Sequence, residues 1–249
     1  MISSNEICKY LEWDSRFFGF SIGRIILNSV NEEAIAKAIS WSESNAIKCL
    51  YFFCDIEERE PILLVENNDF HLVDIRVAFE KQNANPFPLT GIPFGYNIRQ
   101  ATLADIPYLR EIARSSHRIT RFYNDYNFPR SSCDLLYETW IEKSVSGYAD
   151  VVFVVDEHSV PIGYVTCHSD EYTKGHIGLI AIKEDSHGKG LGELLIGKAF
   201  EWFSQRNIKI VTVVTQGQNI SGQRFYQKCG FWVKGVQIVY HKWFNLENS

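Results

Sequence analysis

The sequence predicts an α/β fold built from two successive units, a smaller one before residue 83 and a larger one after residue 93. Three observations indicate this fold. Short apolar runs of strand length alternate with segments whose apolar residues recur at helical spacing. Residues 83–93 hold three prolines and a glycine, a composition typical of a linker. A glycine-rich turn joins a strand to a helix within residues 176–203, and the chain is interpreted around this stretch.

Composition narrows the range of functions. The 249 residues are 45% hydrophobic and 14% aromatic, which is enough to bury a large core. A formal net charge of −5 argues against nucleic-acid binding, because nucleic-acid-binding domains are normally basic. The six cysteines are scattered without a Cys-x-x-Cys pair, so we expect reduced core cysteines and no metal site. Without a signal peptide or an apolar stretch of membrane-spanning length, we expect a cytoplasmic protein with no membrane span.

The first unit, residues 1–82, is predicted to follow the order β-α-β-α-β. Its opening run at 11–20 is aromatic, and its polar and glycine residues give it turn character. Asn31 is a typical helix N-cap, and the continuous apolar run at 49–54 indicates a buried strand. The predicted elements are strands at 22–27, 49–54 and 70–80, and helices at 31–44 and 61–66.

The second unit is predicted to cover residues 94–249, after a linker at 83–93. Thr102 followed by Asp105 indicates a near capping box at the start of a helix. The run RITRFYNDYNFP at 118–129 is basic and aromatic and is predicted to be a loop. The predicted strands are 96–100, 151–155, 162–168, 177–182, 208–215, 231–234 and 237–244, and the predicted helices start at residues 102, 132, 191 and 219.

The chain contains a candidate internal repeat. A shift of 161 residues aligns 41–81 with 202–242 without a gap, and the predicted strands and helices coincide. One hypothesis is that the first unit is a truncated copy of the second that lacks its active site. The other is that two generic βαβ pieces have similar lengths. A different strand order in the two pieces would rule out the copy.

The glycine-rich turn has the chemistry of an anion site. It reads His187-Gly188-Lys189-Gly190-Leu191-Gly192, and it follows the apolar strand at 177–182 and opens a helix. Glycines let the backbone turn tightly, and the first amides of a helix favour a phosphate. The turn lacks the third glycine of a dinucleotide fingerprint and the Gly-Lys-Ser/Thr ending of a nucleotide-triphosphate loop. An ordinary glycine-rich strand-to-helix turn is the alternative.

Two motifs in the second unit resemble those of the GCN5-related N-acetyltransferases (GNAT family). The turn resembles motif A, Gln/Arg-x-x-Gly-x-Gly/Ala, with His187 in place of the Gln or Arg. Residues 219–231 resemble motif B, Asn-x-x-Ala-x-x-Leu-Tyr-x-x-x-Gly-Phe, with Gly222 and Phe225 as departures. The order of predicted elements from Phe94 onward is also that of this family.

The resemblance implies a GNAT fold, with a mixed and mostly antiparallel sheet, and acetyl-CoA as the acetyl donor. It implies that Tyr226 protonates the departing thiolate; the alternative is that Tyr226 only packs in its helix. Asn219 is expected to contact the pantetheine arm, to cap its helix, or both. The residues expected to bind acetyl-CoA are Ile180, Ala181, Ile182, His187, Gly188, Lys189, Gly190, Leu191, Gly192 and Asn219.

No general base can be singled out from the sequence. A neutral amine must lose a proton during acetyl transfer, and a side chain or a chain of waters can accept it. Several polar residues are predicted near the ends of the strands beside the turn or on the second helix, and each of them also suits a structural role. These candidates are Glu138, His168, Asp170, Glu171 and His176.

The acceptor is predicted from a second resemblance. The runs at 11–20 and 177–181 resemble the bacterial dTDP-fucosamine acetyltransferases, which acetylate the 4-amino group of dTDP-4-amino-4,6-dideoxygalactose. This implies a nucleotide-linked amino sugar as acceptor. Another small-molecule or peptide amine, or a non-catalytic CoA-binding module, are the alternatives, and a homodimer is left open. The residues that could contact a nucleotide sugar are Arg118, Arg121, Phe122, Tyr123 and Tyr126, although they also suit a locally packed loop.

Overall fold

The protein is described from a computed structural model, which covers residues 7–27, 29–83, 91–170 and 173–244. The first unit contains β1 (Cys8–Tyr10), α1 (Glu12–Phe18), β2 (Ile22–Ile25), α2 (Glu32–Ser44), β3 (Cys49–Asp55), α3 (Arg59–Glu66) and β4 (His71–Gln82). The second contains β5 (Tyr96–Gln100), α4 (Ile106–Ser116), α5 (Arg121–Asn124), α6 (Arg130–Lys143), β6 (Val151–Glu157), β7 (Val160–Ser169), β8 (Lys174–Ile182), α7 (Leu191–Gln205), β9 (Ile210–Gln216), α8 (Ile220–Lys228) and β10 (Trp232–Trp243).

These ten strands form one continuous sheet in the order β1-β2-β3-β10-β4-β9-β8-β7-β6-β5. Among the described strands, only the pairs β2–β3 and β8–β9 are parallel, which confirms the predicted mixed, mostly antiparallel sheet. β4 of the first unit lies between β9 and β10 of the second, and β10 lies between β3 and β4. The sheet therefore crosses the predicted linker, most of which lies outside the described residues. The limits 1–82 and 94–249 remain a prediction about the sequence.

The strand pairing repeats with the shift of 161 residues found in the sequence. Gln237 of β10 pairs with Asp55 of β3, and Arg76 of β4 pairs with Gln216 of β9. Adding 161 to 55 and to 76 gives 216 and 237, so one pairing maps onto the other. Arg76 and Gln237 also face each other across β4 and β10, where a local two-fold axis passes. The strand order required by the repeat hypothesis is present.

Helices cover both faces of the sheet. α7 and α8 pack on one face, where α7 residues such as Leu195 and Phe200 meet Val77 and Phe79 of β4. α2 and α3 pack on the same face over the first unit. Ile238 of β10 belongs to the core of these helices, and the residues before and after it in the strand point to the opposite face. α1, α4, α5 and α6 share a core on the opposite face. We call the first the α7 face and the second the α4 face.

Three predictions of secondary structure were wrong. The opening run forms helix α1 rather than a turn, and only Gly19, at φ 80°, adopts the left-handed conformation that ends it. The loop predicted at 118–129 contains the short helix α5. The two strands predicted after residue 230 are one strand, β10, with a register shift between Val233 and Gly235. A bulge of this kind interrupts the pattern that a strand leaves in the sequence without ending the strand.

Other local predictions are confirmed. Asn31 caps α2 by accepting a hydrogen bond from the Ala34 N–H, and Thr102 and Asp105 form a capping box. The strands predicted at 151–155 and 162–168 are β6 and β7, joined by a hairpin turn at His158 and Ser159, both with positive φ. All six cysteines are buried and unpaired. A separate observation is that none of the helices among the described residues is long and apolar enough to cross a membrane.

Candidate active site

Strands β8 and β9 separate from each other halfway along their length. Their parallel pairing runs from Lys174 opposite Ile210 to Ile177 opposite Val213 and then stops. β8 stays paired with β7 up to Ile182, after an irregularity near residue 178. The edge of β8 at 178–182 that faces β9 therefore has no strand partner among the described residues. An unpaired strand edge offers main-chain N–H and C=O groups to a ligand.

The glycine turn is open at the N-terminus of α7. Gly188 and Gly190 have φ of 77° and 76°, a left-handed conformation that is costly for residues with a Cβ atom. A Cβ atom added at either position would meet nothing within 4 Å, so the backbone conformation, not crowding, requires glycine here. Residues 187–190 are exposed, so no side chain plugs the turn.

His187 fastens the glycine turn to the end of β8. Its Nε2 atom lies 2.8 Å from the carbonyl oxygen of Ile182. A carbonyl can only accept, so Nε2 carries the proton and donates it. The imidazole thus holds the turn and the unpaired edge of β8 together, a role compatible with its position in the motif. Lys189 is exposed beside the turn.

Helix α8 packs closely against the start of α7. A Cβ atom at Gly192 would lie 3.0 Å from the ring of Phe225. At Gly222, where the resembling motif has alanine, a Cβ atom would lie 2.4 Å from Nδ2 of Asn219. Glycine at 222 therefore leaves room for the Asn219 side chain to fold over the first turn of α8.

Asn219 caps α8. Its Oδ1 atom accepts from the Gly222 N–H at 3.0 Å, and its Nδ2 donates to Oγ1 of Thr215 at 2.9 Å. Thr215 lies in β9 beyond the point where the pairing with β8 ends, so this cap lies beside the gap between the two strands. The capping interpretation is confirmed, and the contact of Asn219 with pantetheine stays a prediction.

Tyr226 is buried on the α7 face of the sheet. Its ring packs against Phe79 and Phe231, with centroid distances of 5.8 and 5.9 Å. Burial raises the pKa of the phenol well above its usual value, so the hydroxyl is protonated at neutral pH. No group among the described residues accepts a hydrogen bond from this hydroxyl. Tyr226 is therefore both a packed aromatic residue and an unused proton donor.

Of the five candidate bases, three are set aside. Glu138 forms ion pairs with Arg110 and Arg114 at 3.1 and 3.7 Å, which is a structural role. Asp170 accepts from the N–H groups of Thr173 and Lys174 and stabilises a turn. Glu171 lies outside the described residues. His168 and His176 remain, on neighbouring strands on the α4 face, where the separation of β8 from β9 begins.

His176 has an unprotonated nitrogen that is free to accept a proton. The hydroxyl of Thr212 donates to the Gly175 carbonyl at 3.2 Å, so its oxygen accepts from Nδ1 of His176 at 3.3 Å. Nδ1 then carries the proton and Nε2 keeps its lone pair. Desolvation, with the charges of His168 and Arg76, lowers the pKa of His176 to about 4, so the ring is neutral at pH 7.

The structure does not bring together the five residues predicted to contact a nucleotide sugar. Phe122 is buried in the core, and the Tyr123 hydroxyl donates to Asp134. Arg118 and Tyr126 are exposed. Arg121 is partly buried, with its guanidinium carbon 5.1 and 5.4 Å from the centres of the Tyr51 and Phe53 rings. The His176–Thr212 pair was missed as a unit because its partners are 36 residues apart.

The fold and this site define a class of protein. A parallel strand pair that opens beside a glycine turn, with a capped helix bearing a tyrosine across the gap, is the arrangement expected of an acetyltransferase of the GCN5-related type. Residues 108–231 match the model of the acetyltransferase (GNAT) family, so this part of the second unit belongs to that family.

Curated relatives share about a quarter to a third of the aligned residues. The spore coat polysaccharide biosynthesis protein SpsD of Bacillus subtilis is 26% identical over 141 residues, which are 56% of this chain and 48% of that protein. The dTDP-fucosamine acetyltransferase of Escherichia coli is 31% identical over 128 residues, which are 51% of this chain and 54% of that protein. The matches thus span about half the length of these relatives.

Solved structures resemble the whole chain. A GCN5-related N-acetyltransferase from Sphaerobacter thermophilus superimposes with a TM-score of 0.67 at 14% identity, covering 95% of this chain and 76% of that one. A tandem GNAT protein from the clavulanic acid biosynthesis pathway gives a TM-score of 0.63 at 10% identity, covering 91% and 76%. At these identities the likeness concerns the fold, and it extends over both units.

Proposed function

We propose that this protein is an N-acetyltransferase that moves the acetyl group of acetyl-CoA directly onto a primary amine. One observation carries the proposal: the unpaired edge of β8 lies between an open glycine turn and a helix that bears an unused phenol. The turn amides and the dipole of α7 suit the CoA diphosphate, and the strand edge suits the amides of the pantetheine arm. This route leads a thioester from the turn toward Tyr226.

The proposed base and the proposed acid lie on opposite faces of the sheet. His176 alternates along β8 with Ile177, which belongs to the α7 core, so His176 points to the α4 face. Tyr226 lies on the α7 face. A donor held in the gap between β8 and β9 can thus be reached by an amine from one side, with the phenol on the other. This separation matches a direct transfer, which needs a base beside the nucleophile and an acid beside the leaving group.

The reaction balances with these two groups. The amine nitrogen attacks the thioester carbonyl carbon, and its proton passes to Nε2 of His176. An N–H of the β8 edge stabilises the charge that develops on the carbonyl oxygen. The carbon–sulfur bond then breaks, and the Tyr226 hydroxyl protonates the departing thiolate. The products are an N-acetyl amide and CoA, and exchange with solvent removes the proton from His176 and returns one to Tyr226.

We further propose that the acceptor is the amino group of a nucleotide-linked dideoxy amino sugar, used for a surface polysaccharide. Two relatives support this: one is named as a dTDP-fucosamine acetyltransferase and one as a polysaccharide biosynthesis protein. Arg121 supports it too, because a guanidinium group whose Nε has no partner among the described residues suits a diphosphate oxygen. The other amine acceptors remain the alternative.

Replacing one hydroxyl tests the mechanism. Tyr226→Phe keeps the ring in the core, so stability and CoA affinity should be unchanged, while kcat should fall about 10²–10⁴-fold with loss of the acid. Release of free thiol from acetyl-CoA with dTDP-amino sugars measures this. Tyr240→Phe is the matched control: its hydroxyl donates to Glu66, so it should lose stability and keep kcat. Unchanged turnover in Tyr226→Phe would remove the phenol from the mechanism.

A further inference from the structure

Three arginine side chains meet on the α4 face beside the proposed active site. Arg24 comes from β2, Arg76 from β4 and Arg121 from α5. Their guanidinium carbons lie 4.2, 5.2 and 5.4 Å from the centre of the Phe53 ring. Because one ring contacts all three, the guanidinium groups are close neighbours. We call them the arginine cluster.

The cluster has hydrogen-bond donors without acceptors. Among the described residues, none of the three arginines forms an ion pair with a carboxylate. In the part of the chain that the structure describes, Nε of Arg24, Nε of Arg121 and the hydroxyl of Tyr51 beside Arg121 are buried without a partner. Arg76 donates to the neutral amide oxygen of Gln237, at 3.2 Å. Buried donors left unpaired are destabilising, so these groups favour a ligand that only accepts.

The positive charge of the cluster is only partly balanced by neighbouring acids. Asp14 and Asp74 are the acids whose charges act on it. Burial raises the pKa of both carboxyls, that of Asp74 to about 6, so each holds its negative charge less firmly than an exposed acid. Burial and then the charge of Arg121 lower the pKa of Arg24 and Arg76. Three half-buried cations that repel one another beside two weakened acids favour a ligand that adds negative charge.

The cluster lies on the same face of the sheet as His176. Arg76 pairs across the sheet with Gln216, in the part of β9 that β8 has left. It points to the same face as His176, because both alternate with residues of the α7 core. The charge of Arg76 also acts on His176, so the two side chains share one electrostatic environment. A molecule whose amine reaches His176 can therefore extend into the cluster.

We propose that Arg24, Arg76 and Arg121 bind a phosphate or diphosphate group of the amine acceptor. Guanidinium groups pair with phosphate oxygens through two parallel hydrogen bonds, which suits a group approached from three sides. The inference rests on the proposed function and gives the first unit a role: it supplies two of the three cations. Acceptor recognition then explains why a unit without its own glycine turn is built into the sheet.

Binding of dTDP to the CoA-loaded protein tests the proposal. Saturating CoA blocks the glycine turn, so dTDP measured by titration calorimetry reports on a second anion site. Arg24→Gln and Arg76→Gln should each weaken dTDP binding about tenfold to a hundredfold, the range for a lost charge-assisted hydrogen bond. Arg16→Gln is the control, since Arg16 is exposed on α1 and paired with Glu12. CoA affinity and the melting temperature with CoA should match the unchanged protein in the control and should not fall in either cluster variant.

Several results would overturn the proposal. Equal dTDP affinity in Arg16→Gln and the cluster variants would do so, as would a CoA-loaded protein that binds no dTDP. If dipeptide carboxylates bind the cluster and dTDP and inorganic pyrophosphate do not, the phosphate class is wrong. In turnover assays, Arg76→Gln should raise KM for a dTDP-amino sugar far more than for an uncharged amine. If the unchanged protein releases no thiol with any amine, the proposed function fails. The dTDP titration of the CoA-loaded protein then still tests whether the arginine cluster binds a phosphate group.

Discussion

Replacing His176 by asparagine separates its role as a base from its role in packing. The asparagine amide can still donate to Thr212, but it has no lone pair comparable to Nε2. The lowered pKa of His176 leaves its ring neutral at pH 7, so Nε2 is able to accept a proton. We therefore expect His176→Asn to lower kcat about 10²–10⁴-fold, the range for general-base catalysis, with CoA affinity unchanged.

Two measurements check this expectation. Thiol release with a dTDP-amino sugar gives kcat, and His158→Asn is the control, because His158 lies in a hairpin turn at φ 51°, which asparagine tolerates. NMR titration of the His176 ring should show it neutral down to about pH 4. In Arg76→Gln the ring pKa should rise, because a nearby positive charge has gone. A ring that titrates at its usual pH of about 6.5, or an asparagine variant with full turnover, would refute the reasoning.

Three further predictions concern the turn and the buried polar groups. Gly190→Ala should weaken CoA binding about tenfold, because a residue with a Cβ atom in the left-handed conformation costs about 1–2 kcal/mol or shifts the amides of the turn. Gly95→Ala is the control, because Gly95 is also left-handed but lies outside the site. Its CoA affinity, measured by calorimetry, should be unchanged. The pKa of His241 is lowered to about 4 by burial, so the unfolded chain binds more protons below pH 6.5. His241 alone should then lower the free energy of unfolding by about 3 kcal/mol between pH 6.5 and 4, and His241→Asn should remove this part of the pH dependence in urea titrations. Asp125→Ala leaves the buried His241 and Trp243 donors without an acceptor and should destabilise the fold by about 3 kcal/mol in the same assay.

Features with a local cause could be predicted from the sequence. The glycine turn, the Thr102 capping box and the repeat shift each depend on residues a few positions apart or on element lengths. The helix α1 was missed because Asp14, Ser15 and Gly19 resemble a turn, whereas packing of Trp13 and Phe17 against Trp140 and their neighbours decides the outcome.

The functional pairings depend on distant residues and could not be predicted. The basic nitrogen of His176 is fixed by a hydroxyl 36 residues away, and no property of either residue alone indicates it. The arginine cluster draws on three elements that are separated by most of the chain. Arg121 was predicted as an acceptor contact because it lies in a basic and aromatic run. Nothing in the sequence around Arg24 and Arg76 indicates that these two residues lie beside it.

The interleaving of the two units has a consequence for how the chain is made. β3 and β4 do not touch; the space between them is filled by β10, which is synthesised more than 140 residues after β4 ends. Until then β3 and β4 of the nascent first unit each expose an unpaired strand edge. Such edges bind chaperones or a strand of a neighbouring chain. A β10 donated by another copy would fill the space between β3 and β4 equally well, so crowded synthesis should produce exchanged dimers by the same contacts that close the monomer.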